Sequence, residues 1–194
     1  SGLSEVVRSV QTQRGLGASK VSAPSVGGSV NIVTRTVEQE RGGSFTYGLG
    51  DNGMNTMSLT LSSGLSDKGW GFTAMGGKSW GDGYVQGTEY EAYNYFISLY
   101  KRLNYKHMLA LTAFGAPQSH NQRNQYDGLT VEGWQKVRNY MKGKSPYRYN
   151  ATFGYGKNGE RKTSSYNFYH KPQISLNHTW EVNTKSTLSS VLCL

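Results

Sequence analysis

The stretch GSFTYGLGDNGMNTMSLTLS, residues 43–62, decides the fold class of this chain. On both sides of its central Asp51-Asn52-Gly53, apolar and polar side chains alternate with a period of two, which is the period of an extended strand. Asp51-Asn52-Gly53 is a turn signal of the kind that joins two strands into a hairpin. The apolar positions are Phe45, Tyr47, Leu49, Met57, Leu59 and Leu61. The stretch therefore predicts an antiparallel hairpin with one apolar face and one polar face.

The same alternation returns along the chain and predicts further strands. They lie near residues 70–80, 93–103, 109–113, 173–180 and 186–194. With the first hairpin they make about seven strands. Their length, about eight to twelve residues, is close to the roughly 9–11 residues with which a tilted strand crosses a bilayer. Their second face carries Ser, Thr, Asn, Gln and Gly with few charges, which favours a lumen over the solvent face of a soluble sandwich. We therefore expect an all-β fold, a partial transmembrane antiparallel β-barrel.

Aromatic side chains and unequal connections point the same way. The aromatic residues near strand ends are Tyr47, Trp70, Trp80, Tyr84, Tyr93, Tyr95, Tyr105 and Trp180. Tyr and Trp are enriched where a protein crosses the bilayer interfaces. Short connections at 66–69, 104–106 and 182–185 alternate with longer ones at 81–91 and 117–172, although the turn at 51–53 is short on the long-loop side. This pattern is typical of outer-membrane barrels and predicts a long extracellular loop at about 118–171.

Composition and charge exclude several classes of protein. No run approaches the roughly 18 apolar residues of a membrane helix. The single cysteine, Cys193, excludes an internal disulfide and a cysteine-based metal site. The formal net charge is +9, but the basic residues are scattered and are densest between Arg138 and Lys162. Because no helix carries a basic stripe, we expect no nucleic-acid partner.

Two motifs precede the first predicted barrel strand: QTQRG at residues 11–15 and VGGSVNIVT at residues 26–34. They resemble the closing strands of the plug domain of TonB-dependent outer-membrane receptors, although Thr12 stands where that family usually has an apolar residue. The matching residues, expected at the junction of plug and barrel, are Arg14, Gly15, Gly27, Gly28, Asn31 and Thr34. The resemblance implies the end of a plug domain in residues 1–40, the first strands of the barrel in 41–194, and a chain that is a fragment of the whole receptor.

Such a resemblance implies a function in transport at the bacterial cell outer membrane. The expected activity is energy-coupled import of a scarce nutrient, such as an iron chelate, a corrinoid or a glycan. The implied partners are the TonB complex, outer-membrane lipid and the nutrient, and the family also allows a surface lipoprotein; no cofactor is implied. Two alternatives remain open at this point: a passive porin or adhesin barrel, and a secreted glycan-binding β-sandwich.

Candidate binding residues concentrate in the longer connections. The four histidines have no metal-ligand spacing, and no nucleophile–base pair or carboxylate pair stands out, so we expect neither an enzyme nor a metal site. Residues 130–141 are expected to form a short helix capped by Thr130. Donors and aromatic rings suited to a polar or ring-shaped ligand are Tyr84, Gln118, His120, Asn121, Arg123, Tyr126 and Trp134. Basic residues expected to meet anionic lipid headgroups are Arg138, Lys142, Lys144, Arg148, Lys157, Arg161 and Lys162.

Overall fold

The computed structural model describes residues 7–14, 28–34, 40–123 and 129–194, the first two ranges through their backbone alone. Near the N-terminus, β1 (Val7–Arg14) and β2 (Gly28–Thr34) form a separate two-stranded antiparallel sheet. β2 lies within the second of the two N-terminal motifs. Gly15 and Gly27 lie outside the described residues.

One large antiparallel sheet contains most of the remaining strands. The remaining elements are β3 (Gly42–Leu49), β4 (Asn55–Ser62), β5 (Trp70–Gly81), β6 (Tyr90–Arg102), β7 (His107–Gly115), β8 (Gln118–Asn121), α1 (Val131–Tyr140), a 3-10 turn (Pro146–Arg148), β9 (Phe153–Tyr155), β10 (Arg161–Thr163), β11 (Tyr166–Tyr169), β12 (Gln173–Asn183) and β13 (Ser186–Cys193). The main order is β13-β12-β7-β6-β5-β4-β3, so the predicted mostly-β class with an antiparallel sheet is confirmed. Within the described residues this sheet does not close on itself, because β3 and β13 each pair on one side only.

The two faces of the sheet differ as the alternation predicts. We call the first the apolar face. Each of the seven strands in the main order exposes an aliphatic or aromatic side chain on it. Seven such residues, one from each strand and between 41% and 68% exposed, are Phe45, Leu59, Phe72, Leu99, Leu111, Leu176 and Leu192. From Phe72 to Leu192 these side chains lie directly opposite one another across the strands. The apolar face is therefore a continuous hydrophobic surface rather than a set of single exposed residues.

The second face, which we call the polar face, buries hydroxyl side chains at its centre beside the hydrophobic core of the sheet, Met75, Phe96 and Phe114. Thr73 and Ser98 are fully buried and lie opposite each other on β5 and β6. Ser98 is also within hydrogen-bond distance of Thr112 on β7, at 3.2 Å between the two hydroxyl oxygens. Exposure along the whole apolar face and burial at the centre of the polar face indicate a curled sheet with the polar face on its concave side.

A glycine on the polar face makes room for the largest buried side chain there. Gly71 lies opposite Tyr100, whose ring occupies the space that a Cβ at residue 71 would need. Tyr100 is consequently only 1% exposed. A glycine in the middle of a strand often marks such a close approach. This pair holds β5 and β6 together on the concave side.

Two strands of the sheet continue beyond an interruption without changing register. Tyr95 pairs with Gly115 on β7, and three residues further Ala92 pairs with Gln118 on β8. Pro117 has no N–H, but its carbonyl oxygen accepts a hydrogen bond from the Tyr93 N–H at 2.8 Å, which preserves the ladder. The sequence placed residues 118–121 at the start of a long loop; the structure instead has them in a strand between β6 and β11.

The sequence-based prediction of the helix is confirmed in detail. α1 begins after Thr130, whose side-chain hydroxyl accepts a hydrogen bond from the Gly133 N–H at 3.1 Å. Its inward side buries Val137, and Met141 is buried directly after its last turn. No helix in the described part of the chain is long and apolar enough to cross a membrane.

Candidate functional site

Three connections meet at one end of the sheet, which we call the upper end. They are residues 50–54 between β3 and β4, residues 82–89 between β5 and β6, and residues 122–165 between β8 and β11. The turns at the lower end, residues 63–69, 103–106 and 184–185, are short. The upper end therefore holds most of the chain that is free to form a binding surface.

Arg148 joins all three upper connections. Its guanidinium donates a hydrogen bond to the Asn52 side-chain oxygen at 2.7 Å and lies 4.5 Å from the centroid of the Tyr84 ring. The Tyr84 hydroxyl in turn donates to the Ser145 hydroxyl at 3.2 Å. A charged hydrogen bond and a cation–π contact on one guanidinium fix its direction. This set, which we call the arginine cluster (Asn52, Tyr84 and Arg148), ties the connections together.

Asn150 provides a second, buried link beneath the arginine cluster. It is 1% exposed, and its amide donates to the Gln86 carbonyl at 2.9 Å. Its side-chain oxygen accepts from the Thr152 N–H at 3.1 Å and from the Thr152 hydroxyl at 2.7 Å. All of these bonds are internal, which is how a buried amide is normally satisfied. Asn150 and Thr152 therefore stabilise the loop rather than face a ligand.

A further charged group lies where β6 begins. Glu89 pairs with Arg161 through one carboxylate oxygen, and its other oxygen accepts from the Asn121 amide at 3.2 Å. The Arg161 guanidinium also lies 5.3 Å from the centroid of the Phe153 ring. These contacts bind the β9–β10 hairpin to the upper edge of the sheet.

The predicted ligand residues that the structure describes are distributed over this end. Tyr84 belongs to the arginine cluster, and Trp134 on α1 has its ring centroid 5.6 Å from that of Tyr147. Arg123 is exposed. Tyr126 lies outside the described residues. The structure therefore assigns separate surroundings to the aromatic members of the predicted set.

The three predicted residues on β8 divide between the two faces. Gln118 lies opposite Ala92 and His120 opposite Tyr90, positions that share the polar face with Phe96 and Ser98. Both side chains are partly exposed. The Asn121 side chain lies on the opposite face of β8 and donates a hydrogen bond to Glu89, as described above. Gln118 and His120 are thus the predicted ligand residues placed at the upper margin of the concave side.

The predicted junction residues fall on the N-terminal strand pair where they are described. In its register Arg14 pairs with Gly28, Gln11 with Asn31 and Val7 with Thr34. Gly15 and Gly27 lie outside the described residues. The two motifs are therefore joined as partner strands of one hairpin-like unit.

A cluster of rings occupies the lower end on the apolar face. His107 and His178 face each other with 3.0 Å between Nδ1 and Nε2, and the ring of His107 also stacks on Trp180 at 5.4 Å. This arrangement explains a histidine on the apolar face of β12, because its polar atom has a partner 71 residues away. Nearby, the Lys101 ammonium lies 4.7 Å from the centroid of the Trp70 ring. Aromatic and basic groups thus border this end of the hydrophobic surface.

The basic residues of the long connection differ in their surroundings. Arg148 and Arg161 are held as described, and Lys162 forms an ion pair with Glu160 at 3.0 Å. The Lys162 ammonium, with help from backbone N–H groups, lowers the pKa of the exposed Glu160 carboxyl below its ordinary value. The remaining members of the predicted set are exposed; they are Arg138, Lys142, Lys144 and Lys157.

Comparisons of the chain with protein-family models, curated proteins and solved structures found no match. Among the residues that the structure describes, no group of three or more His, Cys, Asp or Glu side chains could hold a metal ion.

The organising roles of Asn52, Glu89 and Asn150 were not predicted from the sequence. Asn52 stood in a recognised turn signal, but nothing in the sequence indicated its partner on Arg148.

Proposed function

We propose that this chain forms part of the wall of a TonB-dependent outer-membrane receptor, which imports a scarce nutrient by energy-coupled movement of its plug. The observation that carries the proposal is the apolar face, a hydrophobic surface extending over seven strands of one antiparallel sheet. Soluble monomers rarely expose apolar patches larger than a few hundred Å². Lipid is the partner that such a broad, continuous surface fits best.

The borders of the apolar face support contact with a bilayer. Trp70 and Lys101 lie at its lower end, and Lys78, Trp80 and Tyr93 lie at its upper end. From Trp70 to Trp80 the β5 strand extends about 33 Å at roughly 3.3 Å per residue. At the tilt of about 40° found in outer-membrane barrels, this length gives a height of about 25 Å, the height of their apolar band.

The polar face supports a lumen filled by further polar groups. The Tyr100 hydroxyl, the Thr73 hydroxyl and the Asn94 side-chain oxygen are buried without a hydrogen-bond partner among the described residues. Buried polar groups normally have protein or water partners. A plug packed inside the barrel, or water retained beside it, would supply them. Further strands would pair with the open sides of β3 and β13, whose backbone groups need partners in lipid.

The N-terminal strand pair would act as the end of the plug in this receptor. Its two strands carry the motifs that resemble the plug closure, and β3 follows them in the chain. Ligand bound at the upper end would shift the plug, and force from the TonB complex would then open a path. The upper connections, with Gln118 and His120 at the margin of the concave side, would supply ligand contacts. Iron chelates, corrinoids and glycans remain the candidate nutrients.

Site-directed labelling tests the orientation. In a Cys193→Ser background, a cysteine replaces either Lys157 at the upper end or Lys185 at the lower end, both of which are exposed. A membrane-impermeant maleimide is expected to label the Lys157→Cys variant on intact cells and the Lys185→Cys variant only after permeabilisation. Equal labelling of both variants on intact cells, or recovery of the chain in a soluble fraction, would contradict the proposal.

Energy coupling needs a separate measurement. Uptake of a panel of iron chelates, corrinoids and glycans is compared in cells with and without a functional TonB complex, with expression of this chain's receptor switched on or off. The proposal predicts one ligand class whose uptake requires both. Uptake that requires the receptor but persists without TonB would indicate a passive porin instead.

A further inference from the structure

A groove of about 500 Å³ opens on the apolar face towards its upper end. Gly76 is one of its lining residues, and a Cβ at that position would meet no atom within 4 Å. The walls come from four neighbouring strands and the residues that follow β7; they include Phe45, Met57, Leu59, Tyr95 and Pro117. Its volume lies within the range of roughly 300–1,000 Å³ that is typical of small-molecule sites.

We call this opening the acyl groove. One of its ends carries a basic side chain beside an aromatic ring. Lys78 lines it, with its ammonium 5.0 Å from the Tyr93 ring centroid and 3.0 Å from the Glu91 carboxylate. On the other side, the His170 imidazole is 3.0 Å from the hydroxyl of Tyr95, another lining residue. An ammonium has three N–H donors, so the bond to Glu91 leaves capacity for a second anion.

The chemistry of the acyl groove selects its occupant. Because it opens on the apolar face, anything lying along it must be apolar over most of its length. Because one end carries the Lys78 ammonium, an anionic group fits there. The exposed cations of the long connection, including Lys142 and Lys144, lie at the same end of the sheet and add to the positive potential.

We infer that the acyl groove binds one hydrocarbon chain of a phosphorylated membrane lipid, with the phosphate against Lys78. The missing side chain of Gly76 makes the space for the hydrocarbon, and the Tyr93 ring lies beside the headgroup. The inference rests on the membrane location in the proposed function, but it does not depend on TonB or on the transported nutrient. It assigns to this wall a specific lipid site in addition to general contact with the bilayer.

Two substitutions test the site, each with a matched control. Gly76→Leu places a hydrocarbon side chain in the groove, where a Cβ at residue 76 meets no atom within 4 Å. Ala113→Leu adds similar bulk to the apolar face on β7, outside the groove. Lys78→Gln removes the ammonium at the groove, while Lys101→Gln removes the equivalent cation–π lysine at the lower end.

Binding is measured by native mass spectrometry of the full chain, extracted from membranes in mild detergent and titrated with phosphatidylglycerol or with uncharged diacylglycerol. We expect one phosphatidylglycerol per chain, a loss of at least tenfold in affinity for Gly76→Leu, and no change for Ala113→Leu. Lys78→Gln is expected to weaken the binding of phosphatidylglycerol but not that of diacylglycerol. Lys101→Gln is expected to change the binding of neither lipid.

The outcomes separate this inference from the proposed function. If the chain is extracted from membranes and Gly76→Leu still binds phosphatidylglycerol as tightly as the unmodified chain, the lipid site is refuted and the receptor proposal is unaffected. Equal weakening by Lys78→Gln and Lys101→Gln would refute the assigned phosphate position. Recovery of the chain in the soluble fraction alone would overturn both the site and the receptor.

Discussion

An arginine in the middle of the apolar face provides the sharpest test of contact with lipid. Ile97 on β6 is 53% exposed and lies opposite Ala74. Ala74 is four residues from Trp70 and six from Trp80 along β5. At about 3.3 Å per residue and a tilt of about 40°, Ile97 is roughly 10 Å from one aromatic border and 15 Å from the other. In the proposed bilayer, Ile97→Arg therefore introduces a charge close to the midplane of the membrane.

The expected cost depends on what surrounds this face. An arginine at the midplane of a lipid-facing barrel surface costs about 2–4 kcal/mol in the free energy of unfolding, falling to about 0–1 kcal/mol near the interfaces. If water covered the face, the same substitution would change stability by only about 0.5 kcal/mol. Leu103 is the matched control, because it is also 53% exposed and lies just beyond the lower end of β6.

The measurement is urea unfolding of the full chain in lipid vesicles, followed by the fluorescence of its four tryptophans. We expect Ile97→Arg to lose about 2–4 kcal/mol and Leu103→Arg no more than about 1 kcal/mol. Equal costs for the two variants would refute the argument that depth in a bilayer distinguishes these positions. A loss below about 0.5 kcal/mol for Ile97→Arg would show that the apolar face is in water.

Three further perturbations probe other parts of the fold. Gly71→Ala drives a methyl group into the Tyr100 ring and should cost about 1–3 kcal/mol in the same unfolding assay, with a smaller loss in a Tyr100→Leu background. Arg148→Ala should increase amide hydrogen exchange in residues 50–54 and 82–89, because both connections lose a shared partner; unchanged exchange would exclude that role. The ion pair of Glu160 with Lys162 should support the β9–β10 hairpin above the ordinary carboxyl pKa and be lost as pH falls through the lowered pKa of the folded state, which NMR titration of the hairpin amides can follow.

The strands and their faces could be predicted because alternation is a local signal. Phe45 and Leu59 reveal their shared face through spacing alone, and the structure pairs them directly. The cap on α1 was equally readable, because Thr130 bonds within its own first turn. In each case the physical cause lies within a few residues of the position that it determines.

The remaining features depend on partners distant in the chain. β8 has no apolar alternation and β11 is only four residues long, so their strand geometry depends on pairing with each other and, for β8, with β6. The cluster around Arg148 combines a turn, a loop and a 3-10 segment whose proximity no local pattern encodes. The predicted ligand residues share a chemistry, but Tyr84 and Trp134 turned out to have separate neighbours. Binding surfaces assembled from loops are therefore predicted by composition only in part.

The uninterrupted register from β7 into β8, and from β12 back into β11, affects how such a protein could diversify. The extension adds about four residues, or roughly 13 Å of paired backbone, between the seven-stranded part of the sheet and the long connection. Insertions or exchanges within residues 122–165 would disturb this paired segment before they reached the apolar face. If the proposed function holds, recognition of new solutes could then evolve at the tip while the proposed membrane-facing part of the sheet keeps its assembly.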